Sequence, residues 1–341
     1  MEGSCPPLPF MSQGGAADDP LLRVRRLCKY FALRSGLLAR RILKAVDDVS
    51  FDIGRGEVLV LMGESGCGKT TCGLTAIRLF EPTSGEVIFR GRKLLALQGN
   101  ELRRTRQEMQ VVLQNPLPSL DPRVTVRRAI AEPLLIHRRF LGLSRSGEEA
   151  RLAELAQTVG LREEELDRYP RNLSGGQQQR ACICRALVLQ PSFLVMDEPT
   201  SALDVSVQAR VLNLLLDLRK ELSLTYLFIT HGAAVARYIG ERVAIMYLGQ
   251  IVEMGSIDEV LDGPLHPYTR ALMNSVLDPH GTVKDKAVLL EGAPESAVDL
   301  PPGCCFQKRC KQASDKCLAC APELARVHEG RFVRCHKADL L

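Results

Sequence analysis

Short apolar runs separated by polar, helix-spaced stretches set the rhythm of the chain. "EVLVLM" (57–62), "FLVMD" (193–197) and "TYLFIT" (225–230) are almost wholly apolar, as strands buried on both faces of a parallel sheet are. Between the last two, "VSVQARVLNLLLDLRKEL" (205–222) puts Val207, Val211, Leu214, Leu215, Leu218 and Leu222 on one face at helical spacing, which predicts an amphipathic helix. "LLRVRRLCKYF" reads as a strand. "ALRSGLLARRILKA" reads as a basic loop or insertion, with Arg23, Arg25, Arg26, Arg40 and Arg41 on a solvated face. "VSFDIGRGEVLVLMG" alternates around a Gly-containing turn, as two strands would, and "RVAIMYLGQIVEMG" has the pattern of a hairpin.

From about 100 to 173 the pattern turns helical and polar, broken at "NPLPSLDP" and "RYPRN". A helix is expected from Gly175 to Leu189. Strands alternating with helices imply an α/β core with a mostly parallel sheet, into which a helical subdomain over about 100–190 is inserted. Past Gly263 the chain becomes Pro-rich and irregular, as an appended segment would. The expected division is a flexible tail over 1–20, a main domain over 21–262 and an extension over 263–341.

Composition narrows the class. Apolar residues make up 45% and charged residues 25% of the 341, as in ordinary globular proteins. The net charge of +5 is spread thinly, so no nucleic-acid partner is expected. No window reaches the roughly 18 continuous apolar residues of a membrane span. "MEGSCPPLPFMSQGGAADDP" lacks the charged and apolar regions of a secretory signal, and the chain is expected to stay in the cytoplasm. Of twelve cysteines, six crowd into Cys304–Cys335. In a reducing compartment that density points to a metal or cluster rather than disulfides.

"GESGCGKTT", Gly63–Thr71, lies between an expected strand and an expected helix and fits a P-loop. Its glycines let backbone N–H groups converge on phosphate oxygens, helped by the partial positive charge of the helix N-terminus. Gly63, Ser65, Gly66, Cys67, Gly68, Lys69, Thr70 and Thr71 are the candidate phosphate-binding residues. Lys69 would reach the β- and γ-phosphates and Thr70 would bind Mg²⁺. A thiol at Cys67, beside the phosphates, is expected to be open to alkylation and protected by nucleotide. "FLVMDE" delivers Asp197 and Glu198 to the carboxyl edge of a buried strand, where ligands bind in open α/β sheets. Asp197 can hold the Mg²⁺ shell and Glu198 can polarise an attacking water. Within "LSGGQQQR", Ser174, Gly175, Gly176 and Gln177 form a second anion-binding surface at a helix N-terminus, with Ser174 also a capping residue. One nucleotide does not need two cradles. A head-to-tail dimer, each cradle serving a different nucleotide, resolves the duplication.

With these motifs in this order, residues 21–260 resemble the nucleotide-binding subunit of an ATP-binding cassette (ABC) transporter. The resemblance implies a P-loop ABC ATPase core, mostly parallel with added antiparallel strands, a helical subdomain and a cysteine-rich C-terminal extension. It implies ATP and Mg²⁺ as ligands. Gln114 in "VVLQNP" matches the glutamine that contacts Mg²⁺ and relays movement to membrane subunits. Asp204 in "SALD" matches the loop that crosses the dimer interface, and His231 in "FITH" the histidine that contacts the γ-phosphate. Phe31, with Tyr30 as second choice, matches the aromatic that stacks on adenine. Gly232 stands where the family usually has Asp, and Leu113 replaces a common aromatic.

"NPLPSLDPRVTV", "HPYTRALMNSVLDP" and the insertion before "KAVDDVSFDIGRGE" resemble the ATPases of dipeptide, oligopeptide and nickel importers. In that branch Cys304, Cys310, Cys317 and Cys335 match an extension that holds a [4Fe–4S] cluster in some members. A zinc ion using Cys317 and Cys320 is the rival, and reduced thiols without metal are the third alternative; Cys305 and Cys320 are spares. The resemblance implies a second homologous ATPase subunit, two membrane permease subunits and, indirectly, a solute-binding protein. It places the chain peripherally at the cytoplasmic face of the bacterial inner membrane. A cassette of phosphonate breakdown, a soluble ABC protein of repair or translation, and a non-hydrolysing nucleotide binder are the competing classes.

Overall fold

The computed structural model describes residues 19–35, 39–277, 296–298 and 300–338. The tail expected over 1–20 falls almost wholly outside the described residues. Val58–Met62 (β3), Met109–Val112 (β6), Phe193–Asp197 (β7), Thr225–Thr230 (β8) and Arg242–Tyr247 (β9) run parallel in the order β9-β3-β8-β7-β6. Gln250–Ser256 (β10), Arg331–Val333 (β12) and Ala325–His328 (β11) continue that sheet antiparallel beyond β9. A second, antiparallel sheet is built from Leu22–Ser35 (β1), Ala39–Ile53 (β2), Ser84–Phe89 (β4) and Arg92–Lys93 (β5), ordered β2-β1-β4-β5.

Alternation along the central strands sorts the core into two halves. Val58, Val60 and Met62 of β3, Leu194 and Met196 of β7, and Tyr226 and Phe228 of β8 enter one cluster. Leu59 and Leu61, Phe193 and Val195, Leu227 and Ile229 enter the other. Successive strand residues point to opposite faces, so continuously apolar strands need cover on both. One face is covered by the second sheet, through Val24, Val49, Phe51 and Phe89, and by Lys69–Ala76 (α1).

The other face carries a helical layer. It includes Pro116–Ser119 (α3), Val126–Leu141 (α4), Arg145–Thr158 (α5), Glu163–Leu166 (α6) and Gly175–Leu187 (α7), whereas Gly99–Glu108 (α2) packs Leu102 against the cluster on the first face. Val205–Leu222 (α8), Ala233–Ile239 (α9), Ile257–Asp262 (α10) and Pro267–Leu277 (α11) follow, with Asp315–Ala319 (α12) near the end. Thr125, Ser144, Ser174 and Asp204 each accept a backbone N–H at the start of α4, α5, α7 and α8, satisfying donors that a helix leaves open at its first turn.

Several expectations change. The basic stretch after Tyr30 is no loop: it pairs in the β1–β2 hairpin, Tyr30 opposite Lys44 and Leu33 opposite Arg41; residues 36–38 lie outside the described residues. Arg25 is not on a solvated face either. Its two Nη atoms bind the Asp52 carboxylate at 2.5 and 2.6 Å, whereas Arg26 stays exposed. On α8 the buried set is Val211, Leu212, Leu215 and Leu218, and Leu222 is exposed at the helix end. The helical stretch is interrupted by β6, an edge strand of the parallel sheet. The β9–β10 turn passes through Leu248 and Gly249, both at positive φ (44° and 82°), as a two-residue hairpin loop requires.

The C-terminal region is seated on the main sheet. β12 pairs with β10, Glu253 opposite Val333. Glu253, fully buried, accepts from the backbone of Leu265 and His266 (2.9 Å each) and from Arg331 (2.6 Å). The buried Arg334 donates to Ile251 O at 3.1 Å and to Asp48. A buried charge is tolerated only when paired and hydrogen-bonded, and these pairs tie the region past Gly263 to the core.

Candidate functional site

Four neighbouring parallel strands end at one edge, and each delivers a piece of the site. The loop Gly63–Gly68 follows β3, Gln114 lies two residues past β6, Glu198 follows β7 and His231 follows β8. Carboxyl ends of adjacent parallel strands are where a doubly covered sheet leaves a crevice.

In the loop, Gly68 sits at φ 107°, and a Cβ there would lie 2.0 Å from Ala45 O, so only glycine brings the chain round this close to β2. Ser65 and Gly66 form the exposed crest. Lys69, buried, folds back over the loop and donates to Gly63 O (2.8 Å) and Glu64 O (2.9 Å). Thr70 Oγ1 donates to Asp197 Oδ1 at 2.9 Å, and Thr71 is half-buried one residue on. Burial pushes the Asp197 carboxyl above its ordinary value, with the Thr70 hydrogen bond and Lys69 pulling it back. A cation beside it would relieve that penalty.

Cys67 departs from expectation. Its side chain turns into the core, 5% exposed, and burial raises its thiol despite nearby Lys69. A buried, protonated thiol is a poor nucleophile, so the expected ready alkylation is overturned.

Glu198 stands at φ 45°, a left-handed conformation uncommon for a non-glycine residue. Its Oε2 is met by Gln114 Nε2 at 3.0 Å and by His231 Nδ1 at 3.3 Å. Gln114 also reaches Ser201 Oγ at 3.4 Å, a residue inside "PTSALD" that the sequence does not single out. Lys69, Thr70 and Asp197 thus form one group, and Gln114, Glu198 and His231 form another beside it. Gly232 begins α9 with its N–H donated to Thr230 Oγ1 at 3.1 Å, so the turn at His231 closes without the Asp side chain.

The second anion surface stands apart. Ser174 and Gln177 make a capping box at the start of α7 (Ser174 N to Gln177 Oε1, 2.8 Å), and Gln177 Nε2 donates to Glu165 at 2.6 Å. A Cβ on Gly176 would come within 2.6 Å of Val207 Cγ1, and one on Gly175 within 3.4 Å of Leu203. The start of α7 therefore packs against the start of α8, where exposed Asp204 accepts from Val207 N (2.9 Å) and Ser206 Oγ (2.8 Å). Among the described residues, no hydrogen bond or ion pair joins Ser174, Gln177 or Asp204 to Lys69, Thr70 or Asp197. Phe31 is half-buried on β1, edge-on to Phe80 (6.1 Å) with Lys29 Nζ 4.9 Å from its centroid. Tyr30 spends its hydroxyl on Asp47.

In the C-terminal region Cys304, Cys310, Cys317 and Cys335 line one cavity with His266 and Phe306. Cys304 N donates to Cys317 O at 2.8 Å. The Cys305 thiol, buried beside it, holds the Cys304 thiol down while its own is raised. Burial raises Cys310 and Cys335, and neighbouring thiols add to it. Cys320 is exposed, its thiol against Lys316 O and His336, and it is not among the residues that line the cavity. Among the described residues, no three His, Cys, Asp or Glu side chains are grouped to hold a metal ion.

A family model described as ABC transporter matches residues 46–201, and one described as oligopeptide/dipeptide transporter, C-terminal region, matches 252–317. The chain is 44% identical to the oligopeptide transport ATP-binding protein AppF of Bacillus subtilis (strain 168) over 326 residues, 94% of this chain and 98% of that one. This chain belongs to the ATP-binding proteins of ABC transporters. Two solved structures of the ABC cassette MJ0796 superpose at a TM-score of 0.61, covering 69% of this chain and 98% of theirs. Both are dimeric; one, 30% identical to this chain, holds ADP and Pi after hydrolysis, and the other is 31% identical. The chain is an ABC-type ATPase. Among the described residues no helix is long and apolar enough to cross a membrane.

Proposed function

We propose that this ABC ATPase powers uptake of di- or oligopeptides through a membrane importer, working at the cytoplasmic face as one of two homologous but different ATP-hydrolysing subunits. The observation that carries the reading is the convergence of Lys69, Thr70, Asp197, Gln114, Glu198 and His231 at one sheet edge, in a chain 44% identical to an oligopeptide transport ATP-binding protein. Residues 21–262 are read as the nucleotide-binding domain, with a helical subdomain over about 100–190, and 263–341 as the extension.

In this reading the backbone N–H groups of residues 63–70 and Lys69 cradle the phosphates, Thr71 supports the loop, and Phe31 stacks on adenine. Thr70, Asp197 and Gln114 would hold Mg²⁺, which supplies charge neutralisation between the phosphates. Glu198 orients and polarises the attacking water, and His231 steadies both Glu198 and the γ-phosphate. Ser174, Gly175, Gly176, Gln177 and Asp204 serve the nucleotide of the partner subunit. Their separation from Lys69 and their exposed, pre-capped geometry support that division.

Coupling to the permeases would run through Gln114. Leu113 and Ile136 are exposed and line a cleft with Gln110, His137 and Arg185, and exposed apolar side chains at its rim support a docking surface. A solute-binding protein would deliver cargo from outside.

We read the four thiols as the seat of an iron–sulfur cluster, with zinc as the rival. A single zinc holds sulfur at about 2.3 Å, so four donors must close on one point. A cluster asks each thiolate to reach only its own iron, and Cys304, Cys310, Cys317 and Cys335 line a shared cavity. Iron and acid-labile sulfide should exceed zinc in anaerobically purified protein; zinc in their place would reject the cluster. For the function, reconstituting the chain with its co-purifying subunits in vesicles should give peptide uptake that requires ATP. Uptake independent of ATP, or recovery bound to nucleic acid instead of membrane subunits, would reject it.

A further inference from the structure

The C-terminal region touches the phosphate loop itself. Glu64 is the first residue after Gly63, and three of its polar groups are held. Its carbonyl accepts from Lys69 Nζ at 2.9 Å. Its N–H donates to the Tyr268 hydroxyl at 2.9 Å. Its carboxylate takes both arms of a guanidinium, Arg309 Nη1 to Oε2 at 2.9 Å and Nη2 to Oε1 at 3.2 Å. Two of these three anchors come from residues more than 200 positions away in the chain.

Neither distant anchor can drift. Tyr268 is fully buried and Arg309 is 6% exposed at the side chain. The Tyr268 ring lies 4.6 Å from Tyr247 and 5.6 Å from Phe306, and Tyr247 meets Phe306 edge-on at 5.2 Å. The Arg309 guanidinium sits 5.8 Å over the Tyr247 ring. An aromatic box of this kind fixes the direction of the guanidinium, and a planar two-armed grip fixes the carboxylate in turn.

The chemistry of the loop explains why such a grip matters. A carboxylate one residue into an anion cradle repels the phosphates it should welcome, and repulsion in a partly desolvated site is strong. Pairing with Arg309 cancels that charge. Holding the Glu64 N–H and C=O from opposite sides fixes the peptide planes on which convergence of the loop N–H groups depends.

We propose that Arg309 and Tyr268 are positioning residues of the ATP site: the C-terminal region braces the P-loop through Glu64, neutralising its charge and fixing its backbone. The proposal rests on the reading that residues 63–71 bind the phosphates of ATP, and it is independent of what the thiol cavity holds.

The test measures Mg·ATP affinity and steady-state hydrolysis in the assembled ATPase. Arg309→Ala should weaken ATP binding about tenfold, the effect of stranding one charge-assisted pair. KM should carry the change and kcat should hold, because uniform binding is lost. Adding Glu64→Gln to Arg309→Ala should restore affinity to within about threefold of wild type, since the unpaired carboxylate is then gone. A merely structural role would lower the melting temperature without that rescue. Tyr268→Phe should weaken ATP in the same direction, and Arg326→Ala, an exposed change elsewhere in the region, should leave affinity unchanged. Unaltered affinity in Arg309→Ala, or a loss that Glu64→Gln does not repair, overturns the brace. Should Arg309→Ala not fold, Arg309→Lys keeps the charge but loses the fork, and wild-type affinity in that variant overturns it equally. If instead Lys69→Ala binds ATP as wild type does, the reading of the loop has failed rather than the brace.

Discussion

At the scale of single residues, the site is a set of compromises between burial and charge. Asp197 is held near-buried with its carboxyl raised by desolvation, a cost that the cation of the proposed function would relieve. Asp197→Asn should therefore leave the melting temperature of the nucleotide-free chain unchanged or higher, while Mg²⁺-dependent hydrolysis collapses; a clear loss of stability would contradict the account of that carboxylate. Glu198, in a left-handed backbone between Gln114 and His231, is the candidate base. Glu198→Gln should keep ATP binding and lower turnover by roughly 10²- to 10⁴-fold, the usual contribution of such a base. Retained full hydrolysis would remove Glu198 from the role. Cys67 should resist alkylation with and without nucleotide. Most of these residues are legible in the chain because each follows a short apolar strand. The direction of the Cys67 side chain was not, since a loop pattern says nothing about which way a thiol turns.

At the scale of elements, legibility follows the source of each element's stability. The strands β3, β7 and β8 are recognisable because burial on both faces demands a continuous apolar run. The β1–β2 arm is hidden because its outer part mixes Arg with Leu, and only cross-strand pairing holds it extended. β11 and β12 are shorter still and exist because β10 offers an edge. The start of α7 is a built element too. Burial raises the Glu165 carboxyl, but the Arg162 N–H and guanidinium and the Gln177 amide hold it below the ordinary carboxylate value. A depressed carboxylate contributes stability above its unfolded pKa of about 4.3 and loses it as pH falls further. Protection factors for amide exchange at Ser174–Gln177, taken relative to the intrinsic rate at each pH, should thus fall below that pH, and Glu165→Gln should remove the dependence. Gly176→Ala, forced against Val207, should cost about 1–3 kcal/mol of stability, as overpacking does; a neutral result in thermal unfolding would mean the α7–α8 contact is looser than described.

At the scale of the whole molecule, the C-terminal region is part of the sheet and not a hanging appendage. Glu253, buried among Leu265, His266 and Arg331, is its main anchor. Glu253→Ala strands the Arg331 charge and should cost about 3–5 kcal/mol, measurable by denaturant unfolding. The same scale holds the central claim. One face gathers Lys69, Thr70, Asp197 and Glu198, and the starts of α7 and α8 present Ser174 and Asp204 elsewhere; in the proposed function each chain therefore owns two half-sites and completes neither alone. The most direct measurement is ATP turnover of the isolated chain, held monomeric by dilution and checked by mass, against the same chain mixed with its sister subunit. The account predicts negligible turnover from the monomer and a rate that rises with partner concentration to saturation. Full-speed hydrolysis by the monomer would contradict it.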